Sequence, residues 1–172
     1  MTSDGDREVI QVQIGRRLRA DSDVVSRCHL GLPVVIRVPP ILEDGTPFPT
    51  LYWLTCPLAR TRIGRLEGAG GVKRMEAKAE SDREFGNDLE AAHAEYASER
   101  DRLVDEDTDL APSGGVGGTA KGVKCLHAHY AHTRAVGENP IGALVDEWIR
   151  PLDCEVRCVV DGAMNPEWVN RP

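Results

Sequence analysis

A change in sequence pattern near Pro57 is the feature that most constrains the fold of this chain. Before it, apolar residues come in short β-branched or aromatic runs, Val24–Ser26, Leu32–Val38 and Thr50–Thr55, separated by Pro and Gly. Such runs are typical of strands, and Pro and Gly at their ends indicate turns. After Pro57, apolar residues recur at helical spacing. The order predicts an α+β fold, in which a small antiparallel or mixed sheet from the N-terminal third is covered by several helices.

The helices are predicted from apolar stripes and from their start and stop signals. Ser81 and Glu84 form the pattern of a capping box, in which each side chain bonds a free backbone amide at the start of a helix. Pro57 is well suited to a first turn. One predicted helix starts at Pro57 and stops at the glycine-rich run that begins at Gly68. The other predicted helices are Asp6–Ile14, Val72–Glu80, Asp82–Val104, Val123–Val136 and Pro140–Ile149.

The late part of the chain completes this outline. Cys154–Val160 alternates apolar and polar residues, which predicts a C-terminal strand. The whole chain, 1–172, is interpreted as a single domain. Its low-hydrophobicity stretch at 105–122 predicts a flexible glycine-rich loop, and 161–172 predicts an irregular tail.

Composition and termini indicate an ordinary cytoplasmic protein. Of the 172 residues, 41% are apolar and 28% are charged, which is typical of a soluble globular chain. No apolar run is long enough to span a membrane, and the N-terminus is polar and acidic rather than signal-like. Five cysteines without a secretory signal favour reduced thiols over disulfides.

The net charge of −7 is concentrated in the segment Val72–Leu110, which carries 13 acidic and 6 basic residues. Acidic helices repel phosphate backbones, which argues against a general nucleic-acid partner. The segment suits a basic protein partner instead.

The stretch Val123–Pro140 holds the densest group of chemically active side chains: Cys125, His127, His129 and His132. If the helix is regular through Cys125, that cysteine shares a face with His129 and His132, while His127 points away. Thiolate and imidazole are the ligands that zinc prefers. A structural zinc site needs four ligands, so the remaining ones must come from other elements.

Two further cysteines lie at the ends of predicted strands. Cys28 precedes one strand in a turn, and Cys56 follows another at a helix N-terminus, where the helix dipole is expected to lower its thiol pKa. We therefore predict a metal site formed by Cys28, Cys56 and Cys125 with His127 or His129 as the fourth ligand. Zinc is the expected metal, and an iron–sulfur cluster is the alternative. Plain burial of these cysteines is the competing interpretation.

Cys154 and Cys158 are not expected to bind the same metal ion. Four residues along a strand span about 13 Å, which is too far for one ion.

A second hypothesis for function is a small enzyme, a hydrolase or a phosphate-handling one, that uses the histidine-rich helix and the glycine-rich loop. The loop does not contain the phosphate-binding pattern GxxxxGK[ST].

Several short sequence motifs resemble those of a known family. RCHLGLPVVI, DGTPFPTLYWLTCP, VKCLHAHYAH and GENPIG are similar to those of a bacterial family catalogued as domain of unknown function 501, over about Asp6 to Gly142. The resemblance implies a small cytosolic protein of actinobacteria and some other bacteria, with no established activity. It also implies gene neighbours that encode enolase, a septum-formation initiator protein and an exopolyphosphatase. That neighbourhood suggests a third hypothesis, an interaction module linked to cell division. The signature words contain Cys28, Cys56, Cys125 and His127.

Overall fold

The computed structural model describes residues 2–105, 107–108, 110–119 and 121–170. Parts of the predicted loop at 105–122 (106, 109 and 120) and of the predicted tail at 161–172 (171–172) lie outside the described residues. The elements, in chain order, are α1 Asp4–Ile14, β1 Asp23–Arg27, β2 Pro33–Arg37, β3 Tyr52–Leu54, α2 Pro57–Gly68, α3 Gly71–Ser81, α4 Arg83–Asp101, a 3₁₀ turn at Val116–Gly118, α5 Leu126–Val136, α6 Pro140–Ile149, β4 Val159–Val160 and β5 Ala163–Met164. This confirms the predicted α+β class. No helix in the described ranges is both long and apolar enough to cross a membrane.

The N-terminal third forms a three-stranded antiparallel sheet in the order β1-β2-β3. β2 is the central strand, and its residues Pro33 to Ile36 are all buried, which explains their continuous apolar run. β1 and β2 are joined by a tight turn in which the Gly31 amide donates to the Cys28 carbonyl oxygen at 2.9 Å. Gly31 has a φ of +81°, a conformation that favours glycine. The turn therefore fixes where Cys28 lies relative to the sheet.

Helix α5 is the central helix of the main core. It contacts β3, α2 and α6, and its residues Leu126, Tyr130 and Ala131 are fully buried. α6 approaches α5 closely at Gly142, where a methyl group would overlap the Thr133 hydroxyl and the His129 carbonyl oxygen. The histidine-rich helix of the sequence is thus an interior helix of the fold.

Two helix starts differ from the sequence prediction. The N-cap of α4 is Asp82, which accepts a hydrogen bond from the Phe85 amide at 3.1 Å, whereas Ser81 donates back to the Ala77 carbonyl oxygen inside α3. Because Ser81 already ends α3, the predicted capping box does not form. Helix α5 begins at Leu126 instead of Val123, and Cys125 before it has extended backbone.

The predicted C-terminal strand Cys154–Val160 is shorter than expected. Only Val159–Val160 is strand, and it pairs with Ala163–Met164 in a separate two-stranded sheet inside the predicted irregular tail. The chain bends at Glu155 and Val156. Cys154 and Cys158 do not lie along one extended strand. The expected separation of about 13 Å, which excluded them as ligands of one ion, therefore does not apply.

Part of the stretch 105–122 is packed against α4. His93 accepts a hydrogen bond from the Val116 amide at Nδ1 (3.0 Å), and its Nε2 donates to the Gly122 carbonyl oxygen (3.0 Å). Val116 is fully buried, and a side chain at Gly115 would overlap the His93 ring. Since Val116 donates its amide to His93, it is not available to hold a phosphate.

Candidate functional site

Four of the five cysteines line one cavity of about 380 Å³. They are Cys28, Cys56, Cys154 and Cys158, which we call the cavity cysteines. All four are free thiols. The fold therefore gathers thiols from three separate parts of the chain: the β1–β2 turn, the start of α2 and the segment after α6.

The first two cavity cysteines are positioned by the sheet. Cys28 follows β1 directly, and its amide donates to the Leu32 carbonyl oxygen at 2.9 Å. Cys56 is the N-cap of α2, between β3 and Pro57, and its amide lies 3.4 Å from the Val34 carbonyl oxygen. Both positions were identified from the sequence as the ends of rigid elements, and the structure brings them to the same cavity.

The other two cavity cysteines are held by contacts with the N-terminal part of the chain. A ring nitrogen of His29 lies 2.8 Å from the Cys154 carbonyl oxygen, next to the turn that carries Cys28. Gln13 Nε2 donates to the Pro33 carbonyl oxygen at 3.0 Å and lies 3.6 Å from Cys158 Sγ. The segment after α6 is thereby folded against the sheet.

Three of the cavity cysteines have N–H groups directed at their sulfur atoms. Trp168 Nε1 lies 3.4 Å from Cys154 Sγ, and Gln13 makes the corresponding contact with Cys158. The backbone amides of Leu58 and Ala59 bond the Cys56 thiol. Hydrogen bonds of this kind favour the thiolate form and are found around metal-bound sulfur.

Burial nevertheless favours the protonated form of two of these thiols, Cys56 and Cys158, in the absence of a metal ion. Burial raises the pKa of the Cys56 thiol to about 11, and the nearby Cys158 and Cys154 thiols add to the shift. The two backbone amides at the helix N-terminus act in the opposite direction but do not outweigh burial. The predicted lowering of the Cys56 pKa is therefore wrong. Burial likewise raises the pKa of Cys158.

The cavity cysteines do not yet converge on one point. No three His, Cys, Asp or Glu side chains in the described part of the chain are close enough together to hold a metal ion as they stand. The thiols surround a cavity and would have to turn inward to share a ligand.

The cavity also contains a charged end. Asp146 of α6 bonds Arg150 through Oδ2, at 2.6 Å from Nε and 2.5 Å from a terminal nitrogen. Arg134 of α5 lies on the other side of the same carboxylate, with 3.9 Å between its terminal nitrogen and Oδ1. These three side chains line the cavity together with the cysteines.

Cys125 and His127 lie outside the cavity lining. Cys125 packs partly buried against the main core, and burial raises its thiol pKa. The two ring nitrogens of His127 face Glu67 Oε1 and the Arg60 carbonyl oxygen, both at 3.1 Å. His127 thus joins the start of α5 to α2 and does not line the cavity.

His129 and His132 are completely buried, each with 0% exposure. The Asn139 side-chain amide donates to Nδ1 of both rings, at 3.0 and 3.2 Å. Burial lowers the pKa of His129 to about 3 and that of His132 to about 4. A general base must reach its substrate. Because these rings are sealed in the core, their evident role is packing.

Sequence reasoning missed Cys154, Cys158, Gln13 and Trp168 as site residues. The available signal was the spacing of Cys154 and Cys158 by four residues, which was read as strand alternation. Gln13 and Trp168 carry no sequence signal for this role, because their contacts depend on how distant segments pack.

The fold and cavity define a small α+β protein with a thiol-lined cavity. A family model described as "Protein of unknown function (DUF501)" matches residues 24–147, and the chain belongs to this family. No curated protein and no solved structure matches the chain. The matched region includes Cys28, Cys56 and Cys125, whereas Cys154 and Cys158 follow it.

Proposed function

We propose that this protein binds a metal centre through the four cavity cysteines. The observation that carries the proposal is the gathering of four free thiols around a single cavity. Four thiolates are the ligand set of structural zinc sites and of iron–sulfur clusters. Cys154 and Cys158 are proposed in place of Cys125 and the two helix histidines, because they share the cavity with Cys28 and Cys56.

The hydrogen bonds to sulfur support this proposal over plain burial. A buried cysteine that only packs needs no N–H donors, whereas a thiolate ligand is stabilised by them. Trp168 and Gln13 supply such donors to the Cys154 and Cys158 sulfurs. The donors therefore fit a site in which both sulfurs carry negative charge.

Metal binding requires the sulfur atoms to converge. Zinc binds sulfur at about 2.3 Å, so four thiolates around one ion come much closer together than the cavity cysteines now lie. Rotation about χ1 moves each sulfur between staggered positions. The free energy of metal binding stabilises the gathered arrangement, as it does in other sites that form with the metal.

Metal analysis and a visible spectrum of anaerobically purified protein test the proposal. About one equivalent of zinc, or iron and sulfide with a visible absorption band, is expected. A serine in place of any one of the cavity cysteines should remove most of the metal. Cys125→Ser is the matched control and should leave the metal content unchanged. Sub-stoichiometric metal with a featureless spectrum would contradict the proposal, and metal loss only in Cys125→Ser would favour the ligand set predicted from the sequence.

A second function, binding of a basic protein partner, is supported by a groove beside the acidic helices. Its volume is about 960 Å³, and its walls include Glu76 and Glu80 of α3 with Glu90 of α4. The test is a pull-down with the Glu76→Lys/Glu80→Lys/Glu90→Lys variant, with Glu95→Lys, which lies outside the groove, as the control. Partners that persist on the triple variant would contradict this function.

A further inference from the structure

The charged end of the cysteine cavity has an excess of positive charge. The Asp146 carboxylate is shared between two guanidinium groups, bonding Arg150 at 2.5 and 2.6 Å and facing Arg134 at 3.9 Å. The two guanidinium groups and the one carboxylate together carry a net charge of about +1. The Arg134 and Asp146 side chains are mostly buried, with 29% and 17% exposure. Solvent therefore screens the charge of Arg134 only weakly, whereas the Arg150 side chain is 59% exposed and its charge is screened more strongly.

The same end of the cavity has unmet hydrogen-bonding capacity. Arg134 Nε and Asp146 Oδ1 are buried and have no hydrogen-bond partner among the described residues. The Tyr130 hydroxyl, one helical turn before Arg134, is also buried without a partner among the described residues, but Tyr130 does not line the cavity. Gln13 lines the cavity with 6% exposure, and its Oε1 likewise has no partner. Buried polar atoms are almost always paired in native proteins, so the three unpaired atoms that belong to cavity-lining residues, Arg134 Nε, Asp146 Oδ1 and Gln13 Oε1, favour a ligand at this wall.

Most of the remaining wall residues are apolar, although Arg27 and His29 also line the cavity. The apolar residues include Leu30, Val34, Leu58, Leu152, Val156 and Trp168. A cavity of about 380 Å³ lies in the size range of small-molecule sites, which combine apolar walls with a few polar groups that fix orientation. A ligand matched to this cavity has a compact apolar body and an anionic head.

We propose that Arg134 and Arg150 form a binding site for the oxyanion head, carboxylate or phosphate, of a small organic ligand. Planar guanidinium groups bind either oxyanion through charge-assisted hydrogen bonds. Asp146 orients both arginines but also competes with the ligand for them. The site goes beyond the proposed metal centre and does not depend on it, because none of the three side chains is a cavity cysteine.

The two sites are nevertheless coupled in a defined direction. A centre with four thiolates around zinc carries a net negative charge, and it would lie in the same cavity as the anion. Like charges repel at short range in a poorly screened site. The anion should therefore bind more tightly to the metal-free protein, which lacks this negatively charged centre, than to the metal-loaded protein.

Isothermal titration calorimetry with inorganic phosphate, acetate and hexanoate tests the proposal on the full chain, with and without metal. Saturable one-to-one binding of phosphate or of a carboxylate is expected. Tighter binding of hexanoate than of acetate and phosphate would identify the ligand as a carboxylate with an apolar body, and tightest binding of phosphate would identify a phosphorylated ligand. Arg134→Gln and Arg150→Gln should each weaken binding about tenfold or more. Asp146→Asn should strengthen it, because the competing charge is removed.

Arg65→Gln is the matched control, since Arg65 is exposed on α2 and does not line the cavity. The metal content of the arginine variants is measured in parallel and should equal that of the unmodified protein. The proposal is overturned if neither phosphate nor carboxylate shows saturable binding up to about 10 mM. It is also overturned if the arginine variants bind as tightly as the Arg65 control, or lose metal without any change in anion binding. A loss of metal binding in every form, with anion binding intact, would reject only the metal centre.

Discussion

At the scale of single residues, the protonation of the Cys56 and Cys158 thiols predicts how metal affinity depends on pH. Burial raises the pKa of Cys56 to about 11 and also raises that of Cys158. A thiol must lose its proton to bind a metal, so binding releases protons below these pKa values. We expect the affinity to rise with pH, by up to about tenfold per pH unit for each proton released. Competition with a chromophoric chelator from about pH 6.5 to about pH 8 measures this dependence.

The control for this titration is Cys125→Ser, which removes a partly buried thiol outside the cavity. Its affinity should rise with pH as steeply as that of the unmodified protein. An affinity that does not change over this pH range would show that no protonated thiol is involved in binding.

The buried imidazoles predict a loss of stability in acid. Burial lowers the pKa of His129 from 6.5 to about 3 and that of His132 from 6.5 to about 4. Below pH 6.5 the unfolded chain binds protons at these positions and the folded chain does not. Their stability contribution is thus complete above pH 6.5 and is lost as the pH falls towards the folded-state values. The free energy of unfolding should fall by up to about 1.4 kcal/mol per pH unit for each ring.

Urea unfolding at several pH values between about 6.5 and 4 measures this loss. His132→Phe keeps an aromatic ring between Tyr52 and Tyr96 and should flatten the profile. Arg65→Gln, at an exposed position on α2, removes no imidazole and should keep the slope of the unmodified protein. An unchanged slope in His132→Phe would indicate that other groups cause the acid sensitivity.

At the scale of secondary-structure elements, the close contact between α5 and α6 depends on Gly142. An added methyl group would overlap the Thr133 hydroxyl and the His129 carbonyl oxygen, and a backbone oxygen cannot move aside without shifting the helix. We expect Gly142→Ala to lower the free energy of unfolding by about 1–3 kcal/mol, the usual cost of overpacking. Gly64→Ala, in open space on α2, should raise it by about 0.5–1 kcal/mol. Denaturant unfolding measures the free energy of unfolding of both variants. Changes of the same sign and size in Gly142→Ala and Gly64→Ala would contradict the packing argument.

The sequence was most informative where a local pattern was enough to define an element. Helix α6 was predicted at its observed bounds, Pro140–Ile149, because Asn139 caps it and Pro140 fills its first turn. Ser81 and Asp82 are both good caps, and only the end of α3 at Ser81 decides between them. Alternation in Cys154–Val160 fits a strand, but a strand also needs a partner. The partner strand, Ala163–Met164, pairs only with Val159–Val160.

At the scale of the whole molecule, the candidate site is assembled from segments that are far apart in the chain. Cys28 and Cys56 were identified from the sequence because they end rigid elements, and they do share a cavity. The choice of Cys125 as their companion rested on its histidine neighbours. Their surroundings are set by the core: Asn139 holds His129, and Glu67 holds His127. Which cysteines meet is decided by the path of the chain after α6, and no local pattern specifies that path.

The segment 151–170 carries two of the proposed ligands but has little structure of its own. Its regular elements are the two-residue strands β4 and β5. It is tied to the body by the His29 contact with Cys154, by hydrogen bonds from Arg62 to the Pro151 carbonyl oxygen and from Asn170 to Thr61, and by apolar packing of Val159 and Trp168 against α1. A metal ion that bridges both parts would add to these contacts.

Removal of the metal should release this segment. Exposed Arg157 lies between Cys154 and Cys158, so trypsin cleavage there reports local opening. Bound metal suppresses opening by a factor of about 100 when its free concentration is about 100 times Kd, and chelation should accelerate cleavage to a similar extent. Cleavage at Lys121, which is exposed and lies outside the cavity lining, should be unaffected and serves as the internal standard. Cys158→Ser should be cleaved rapidly with or without chelator. Equal cleavage rates at Arg157 in loaded and stripped protein would mean that the segment is held by its own contacts and that the metal does not bridge it to the body.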